Sequence, residues 1–359
     1  RTEHCRLPLA EAGVREFAAR LLACVTSPII QSDRSLSVGG SLGISLFPQD
    51  AGTADDMIAA ADLAMYRAKH THGDNICCYD PSMDEQRRAR RALAVDLRDA
   101  LEHEEFVLYY QPQLDTRTGD VSGFEALLRW RHPRRGMVSP VEFIPIPEET
   151  GLILPVGEWV LKRACAEAVA WEHPYRLAVN IAAAQLTQTN LAQTVHETLL
   201  QTGLAPDRLE LEITEASLIE DMQGRLNVIR KLKALGVGIV MDDYGTGYSS
   251  LATLQQFPFD KIKIDRSFAG DLSTNKVSQA IIKASVLLAR SIGVSVLAEG
   301  VESEEHYDLL MKEGCSEVQG FLFGRPAPYS KLSSRGRKHA GIPRAAPTSP
   351  ANVVSLKRG

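Results

Sequence analysis

The chain contains no run of about 18 apolar residues, the length a helix needs to cross a bilayer, and no signal peptide. Its six cysteines (Cys5, Cys24, Cys77, Cys78, Cys165 and Cys315) show no CxxC spacing, and its nine histidines form no HExxH pair. Those gaps exclude the common zinc frameworks and a disulfide scaffold, so reduced thiols in a cytoplasmic protein are expected. Internal repeats are absent. Acidic residues are missing from 331–359, where seven Lys or Arg stand, leaving 33 bases against 45 acids elsewhere. A body that acidic is a poor nonspecific nucleic-acid binder. The basic tail, rich in Ser, Pro, Ala and Gly, reads as a solvated, disordered end rather than a nucleic-acid or membrane arm. Residue 1 is Arg, so an upstream sensor, or a domain tethering the chain to the inner membrane, stays open.

What is present suits a soluble globular chain: 359 residues, 44% hydrophobic and 24% charged, enough for two domains or one barrel with an appendage. Residues 1–80 form one partial α/β unit. A helix over Ala10–Cys24 leads to strand-like runs at Leu36–Val38 and Ser41–Phe47, then to a helix capped by Thr53 or Asp55. Residues 81–104 are charged and helical. Ala89, Leu93, Leu97 and Leu101 fall four apart, which fits a connector packed on the next domain or a dimerisation helix. From 105 to 330 strands and helices alternate. Eight strands are expected, at Phe106–Gln111, Phe124–Trp130, Leu177–Ile181, Leu209–Ile213, Val237–Met241, Lys261–Ile264, Val294–Ala298 and Glu317–Gly320. The first two share a turn-rich link too short for a helix, so they are antiparallel neighbours. The class is α/β, a (β/α)8 TIM-like barrel with an antiparallel first strand.

In such barrels chemistry sits at the C-terminal strand ends. Glu125, Asn180, Glu212, Asp242, Asp243, Lys263, Glu299 and Gln319 all fall at or near them. Hard divalent cations take oxygen ligands of this kind, and an acid-lined cleft needs such cations to accept a phosphate. Two of them a few ångströms apart activate water and neutralise a phosphodiester.

At these positions stand nine ordered motifs. They are Tyr110-Gln111-Pro112, Glu125-Ala126-Leu127 followed by Leu128-Arg129-Trp130, FIPIPEETGLI from Phe143, LAVNIA from Leu177 and ELEITE from Glu210. MDDYGTGYSSL from Met241, DKIKIDRSF from Asp260, LAEGVE from Leu297 and VQGFLFGRP from Val318 complete the set. Over about residues 105–328 the chain resembles the EAL-domain cyclic di-GMP phosphodiesterases. The resemblance implies that Glu125, Asn180, Glu212 and Asp242 hold a first Mg²⁺ or Mn²⁺, and Asp242, Asp243 and Glu299 a second. It implies Gln319 near the second ion's water, and Arg129 as the phosphate clamp beside Leu127. Glu215 is implied to anchor the loop after Asp243, and Asp265 to orient the catalytic Lys263. A neutral Lys263 acting as general base and a charged one steadying hydroxide or phosphate both remain open. A homodimer through the 81–105 helix and the loop after Asp243 is implied as well.

Three departures from the family pattern leave every ligand in place: Tyr244 for Phe, Ala182 for Ser and Pro147 for Ala. Residues 1–80 resemble the C-terminal half of a GGDEF (diguanylate cyclase) domain, through Gly40-Ser41-Leu42-Gly43-Ile44-Ser45, ADLAMYRAK from Ala61 and Gly73-Asp74-Asn75. The name-giving signature is absent, with Arg1-Thr2-Glu3-His4-Cys5 in its place, so cyclase activity is not expected. Hydrolysis of cyclic di-GMP to linear pGpG is the leading expectation. The alternative is a weak or inactive module that senses the nucleotide.

Overall fold

The computed structural model describes residues 6–31, 34–36, 38–70, 75–188, 190–219, 221–245, 254, 256–270, 272 and 275–332. The chain divides into two compact units, residues 1–96 and 97–359. In the first, a helix over Arg6–Val25 precedes an antiparallel pair, β1 (Ile29–Gln31) and β2 (Arg34–Leu36). β3 (Leu42–Ile44) then pairs in parallel with β4 (Ile76–Cys78), and the helix Ala54–His70 makes the crossover that parallel pairing requires. Thr53 opens that helix: its hydroxyl accepts from the Asp56 amide at 3.2 Å and donates to the Asp56 carboxylate at 2.7 Å. Gly43 lets β3 lie directly on the helix, because a Cβ there would come within 1.9 Å of the Ala61 carbonyl oxygen.

β4 is a strand the sequence pattern did not indicate, and it gives β3 its partner. The first strand-like run is displaced: Arg34–Leu36 forms β2, while Val38 stands exposed outside it. The unit also leaves Phe17, Val25, Phe47 and Ile58 exposed, so much of its apolar surface is uncovered. The division between units falls inside the helix Ser82–Ala100, where a separate connector over 81–104 is expected from sequence. On that helix Leu93, Leu97 and Ala100 are buried.

The second unit is built on β5 (Phe106–Asp115), β6 (Val121–His132), β7 (Gly136–Val138), β8 (Arg176–Ile181), β9 (Leu209–Thr214), β10 (Gly238–Tyr244), β11 (Lys261–Ile264), β12 (Ser295–Ala298) and β13 (Glu317–Gln319). β5 pairs antiparallel with both β6 and β13, closing eight strands into a barrel. The remaining ring contacts are parallel, and β7 is a short hairpin arm on β6. The β5–β6 turn is set by Asp115, whose carboxylate accepts from the Arg117 and Thr118 amides at 2.8 and 3.1 Å. Helices Ile153–Val169, Leu191–Thr202, Met222–Ala234, Lys276–Ile292 and Glu304–Glu313 alternate with the strands. The apolar half of each strand is buried: Leu177, Val179 and Ile181 on β8, Leu209, Leu211 and Ile213 on β9, Ile262 and Ile264 on β11.

Strand alternation sends the other half inward, where, among apolar residues such as Val240 and Leu297, polar side chains form two tiers. Toward the N-terminal strand ends, Lys261 Nζ lies 2.6 Å from Glu210 and 2.9 Å from Glu317. Arg176 reaches the same two carboxylates at 3.5 and 2.5 Å. Two cations thus balance two anions, which buried charges require. Two residues further along three of these strands come Glu212, Lys263 and Gln319.

Candidate active site

The upper tier converges on Lys263, whose side chain is 1% exposed. Its Nζ lies 2.7 Å from Glu299 Oε1, 2.8 Å from Glu212 Oε2, 3.3 Å from Asp242 Oδ1 and 3.7 Å from Glu125 Oε2. Register explains the meeting: Asn180 sits opposite Glu212 on β9, and Glu212 opposite Val240, two residues before Asp242. Glu125 is fixed by two amides, Gln319 Nε2 donating at 2.5 Å and Asn180 Nδ2 at 2.8 Å. Four carboxylates therefore face one ammonium, an excess of negative charge in a closed space.

The protonation equilibria follow. Burial opposes the charge on Lys263, yet Asp242, Glu125, Glu212 and Glu299 outweigh it and raise its pKa well above the usual lysine value. Burial raises the Glu212 pKa well above the carboxylate range and pushes Glu299 up to about 7. At Glu125 burial works upward too, but Lys263 and the two amide donors prevail and the net shift is down.

Asp243 follows Asp242 and by simple alternation would point away from the barrel interior. Instead it takes a left-handed φ of 57°, at an irregularity in the β10–β11 register between Met241 and Tyr244. Its amide donates to Asp242 Oδ1 at 3.0 Å, and burial followed by the charge of Asp242 raises its pKa. Past Gly245, residues 246–253 and 255 of the loop expected after Asp243 lie outside the described residues.

Arg129 and Leu127 share the inner face of β6 with Glu125. Arg129 is half-buried, donates from Nη1 to the Leu128 carbonyl at 2.8 Å and lies 5.6 Å from the centroid of the Tyr109 ring. Burial lowers its pKa. Leu127 sits opposite Tyr109 on β5. Glu215 is buried in the 3-10 turn Glu215–Leu218 directly after β9. Burial, then the charge of Glu215, raises the Tyr244 pKa, so the added hydroxyl lies in that carboxylate's field. Asp265 stands directly after β11: its carboxylate accepts from the Ser267 amide at 3.0 Å, capping the helix Arg266–Ala269, and its charge adds to burial and Asp242 in raising the Asp243 pKa. It is not among the described carboxylates within 4 Å of Lys263. The Ala182 amide donates to the buried Gln185 side chain at 3.0 Å.

Among the described residues, no three His, Cys, Asp or Glu side chains are already arranged to hold a metal ion. The carboxylates close on Lys263 instead. The donor set nevertheless fits a hard divalent cation: it is oxygen-rich, carries surplus negative charge, and includes Glu212 Oε1, buried without a hydrogen-bond partner among the described residues. Gln113 on β5 was not singled out from sequence, and Gln111 only as part of the Tyr110-Gln111-Pro112 motif, yet the two complete an amide chain behind Glu125. The ion tier below was missed as well. Its signal was the two-residue spacing of Glu210 to Glu212, Lys261 to Lys263 and Glu317 to Gln319.

A family model described as EAL domain matches residues 94–326, and one described as diguanylate cyclase, GGDEF domain, matches residues 7–75. An uncharacterized signaling protein of Caulobacter vibrioides is 50% identical over 322 residues, covering 90% of this chain and 40% of the relative. The bifunctional diguanylate cyclase/cyclic di-GMP phosphodiesterase MucR of Pseudomonas aeruginosa is 39% identical over 325 residues, covering 89% of this chain and 47% of MucR. The chain thus spans less than half the length of these two relatives. Among solved structures, the PaMucR phosphodiesterase in complex with c-di-GMP superposes with a TM-score of 0.65 at 43% identity, covering 67% of this chain and 99% of that one. No helix among the described residues is long and apolar enough to cross a membrane.

Proposed function

The chain belongs to the EAL-domain family, and from that premise we propose that its barrel hydrolyses cyclic di-GMP to linear 5′-pGpG in bacterial second-messenger signalling. Glu125, Asn180, Glu212 and Asp242 would hold one Mg²⁺ or Mn²⁺, and Asp242, Asp243 and Glu299 a second. Bound there, the ions supply an activated water and neutralise the non-bridging phosphate oxygens. The residues of the chain do the rest. Lys263 carries its proton at Nζ between Glu212 and Glu299, where it steadies the attacking oxygen or the phosphate. Arg129 offers guanidinium N–H donors to a phosphate oxygen. Gln319 and Asn180 keep the Glu125 carboxylate from rotating.

One observation carries this reading: four carboxylates at or just past the ends of four different strands close on a single buried lysine, with Glu212 Oε1 lacking a hydrogen-bond partner among the described residues. The ligand named for the solved MucR domain supports the choice of substrate. Purified protein given cyclic di-GMP with Mg²⁺ or Mn²⁺ is expected to yield pGpG, and Glu125→Ala or Lys263→Ala to abolish the product. Tight binding without turnover under both metals would refute hydrolysis and leave a sensor. Homodimerisation and an upstream sensor belong to the same proposal. A monomer in light scattering at high micromolar concentration would refute the dimer.

A further inference from the structure

We infer that Gln113 is a positioning residue for the Glu125 carboxylate, acting through the amide orientation of Gln319. An ionised carboxylate only accepts hydrogen bonds, so Gln319 has to present its nitrogen to Glu125. It does so at 2.5 Å, and the same nitrogen donates to Gln111 Oε1 at 3.2 Å. The Gln319 oxygen is thereby turned into a closed interior, where Gln113 Nε2 donates to it at 3.0 Å. Turning the Gln319 amide end for end would set an oxygen against the Glu125 carboxylate and a nitrogen against the Gln113 nitrogen. Rotating the Gln113 amide to follow would leave its buried NH2 unpaired in place of a single oxygen, so Gln113 favours the orientation that Glu125 needs.

Two further observations support a role beyond packing. Gln113 is 1% exposed, yet its own Oε1 has no hydrogen-bond partner among the described residues. An apolar side chain of equal size would fill the space without that unpaired acceptor. The register is also specific: Gln113 sits opposite Gln319 on β13, and Gln111 opposite Glu125 on β6. β5, antiparallel to both neighbours, thus supplies a backing amide on each side of the Glu125–Gln319 pair.

The inference rests on Glu125 as a metal ligand, and its test reads metal binding rather than turnover. Metal-free full chain is titrated with Mn²⁺ in a calorimeter, without substrate, as wild type, Gln113→Met, Gln319→Met and the double variant. Gln113→Met is expected to weaken Mn²⁺ binding roughly 10-fold or more, as loss of an outer hydrogen-bond partner does. In the Gln319→Met background the same change is expected to alter affinity less than about twofold, because the relay is already cut. The thermal midpoint of Gln113→Met should stay near that of wild type, because the change removes one unpaired buried acceptor, Gln113 Oε1, and leaves another, Gln319 Oε1. Wild-type Mn²⁺ affinity in Gln113→Met, or additive losses in the double variant, would overturn the inference. Gln113→Leu is the second variant, and failure of both to fold would make the residue structural and overturn it too. Absence of Mn²⁺ binding by the wild type would overturn the metal reading together with this one. Wild-type binding that Gln113→Met leaves unchanged would overturn this one alone.

Discussion

Replacing Lys263 with Met tests what the lysine does before any cation arrives. Its ammonium is the only cationic group described within 4 Å of Glu125, Glu212, Asp242 and Glu299, at 2.7 to 3.7 Å. At an effective dielectric of about 20, each contact near 3 Å is worth about 5 kcal/mol before desolvation, which cancels most of it. Removing one partner of such a buried set strands the others, and the net loss is about 3–5 kcal/mol. For a unit of this size that corresponds to a fall in Tm of roughly 6–20 °C. The assay is thermal unfolding in EDTA and again with Mn²⁺. In EDTA, Lys263→Met is expected to melt far below wild type. At a Mn²⁺ concentration 100-fold above the variant's Kd, the ion adds about 2.7 kcal/mol to the variant and less to wild type, where the ammonium competes and weakens binding, so the gap between the two narrows. A variant that melts within 2 °C of wild type in EDTA would refute the reasoning. So would equal Mn²⁺-induced shifts in the two proteins.

Three further outcomes are expected. Glu299 has its pKa raised to about 7 by burial, so between the unfolded carboxylate value and 7 the folded state binds the extra proton. Its contribution to stability is present at low pH and is lost as pH rises through 7; metal-free wild type should lose more Tm from pH 5 to 7.5 than Glu299→Gln, and equal slopes would contradict this. Lys261→Met leaves the partly exposed Arg176 as the one described cation within 4 Å of Glu210 and Glu317, and is expected to cost about 3–5 kcal/mol in denaturant unfolding. The triple change Lys261→Met, Glu210→Gln, Glu317→Gln should recover most of that loss, and no recovery would count against charge as the cause. Burial pushes the Cys165 and Cys315 thiols up to about 12, while Cys24 is exposed. Alkylation of the native protein at pH 8, read by mass spectrometry, should therefore modify Cys24 and spare the other two.

Much of the barrel was legible because its signals are local. The short link after Asp115 forced β5 and β6 to run antiparallel, and apolar runs ending in Glu, Asn or Asp marked the strand ends. Alternation set Lys263 on the opposite face from Ile262 and Ile264 without saying which face is inward; the closed barrel turns it in, beside Glu212. Alternation alone, however, turns Asp243 outward, and only the left-handed backbone and the shifted register after Met241 bring it into the field of Asp242. Asp265 is ambiguous for a related reason: its residue type fits both a helix cap and a lysine partner, and the cap on the helix starting at Arg266 is a contact that residue type alone does not single out. β4 was missed because three residues, Ile76-Cys77-Cys78, are too few to show a period. Gln113 carried no signal of its own, since its partner Gln319 lies 206 residues away.

Anomalous diffraction from crystals soaked in Mn²⁺ tests most directly whether acids from separate strands bind divalent cations. Two peaks flanking Asp242 are expected, one toward Glu125 and Glu212 and the other toward Asp243 and Glu299. No peak there after soaks at saturating Mn²⁺, with Lys263 still bound to all four carboxylates, would contradict the account.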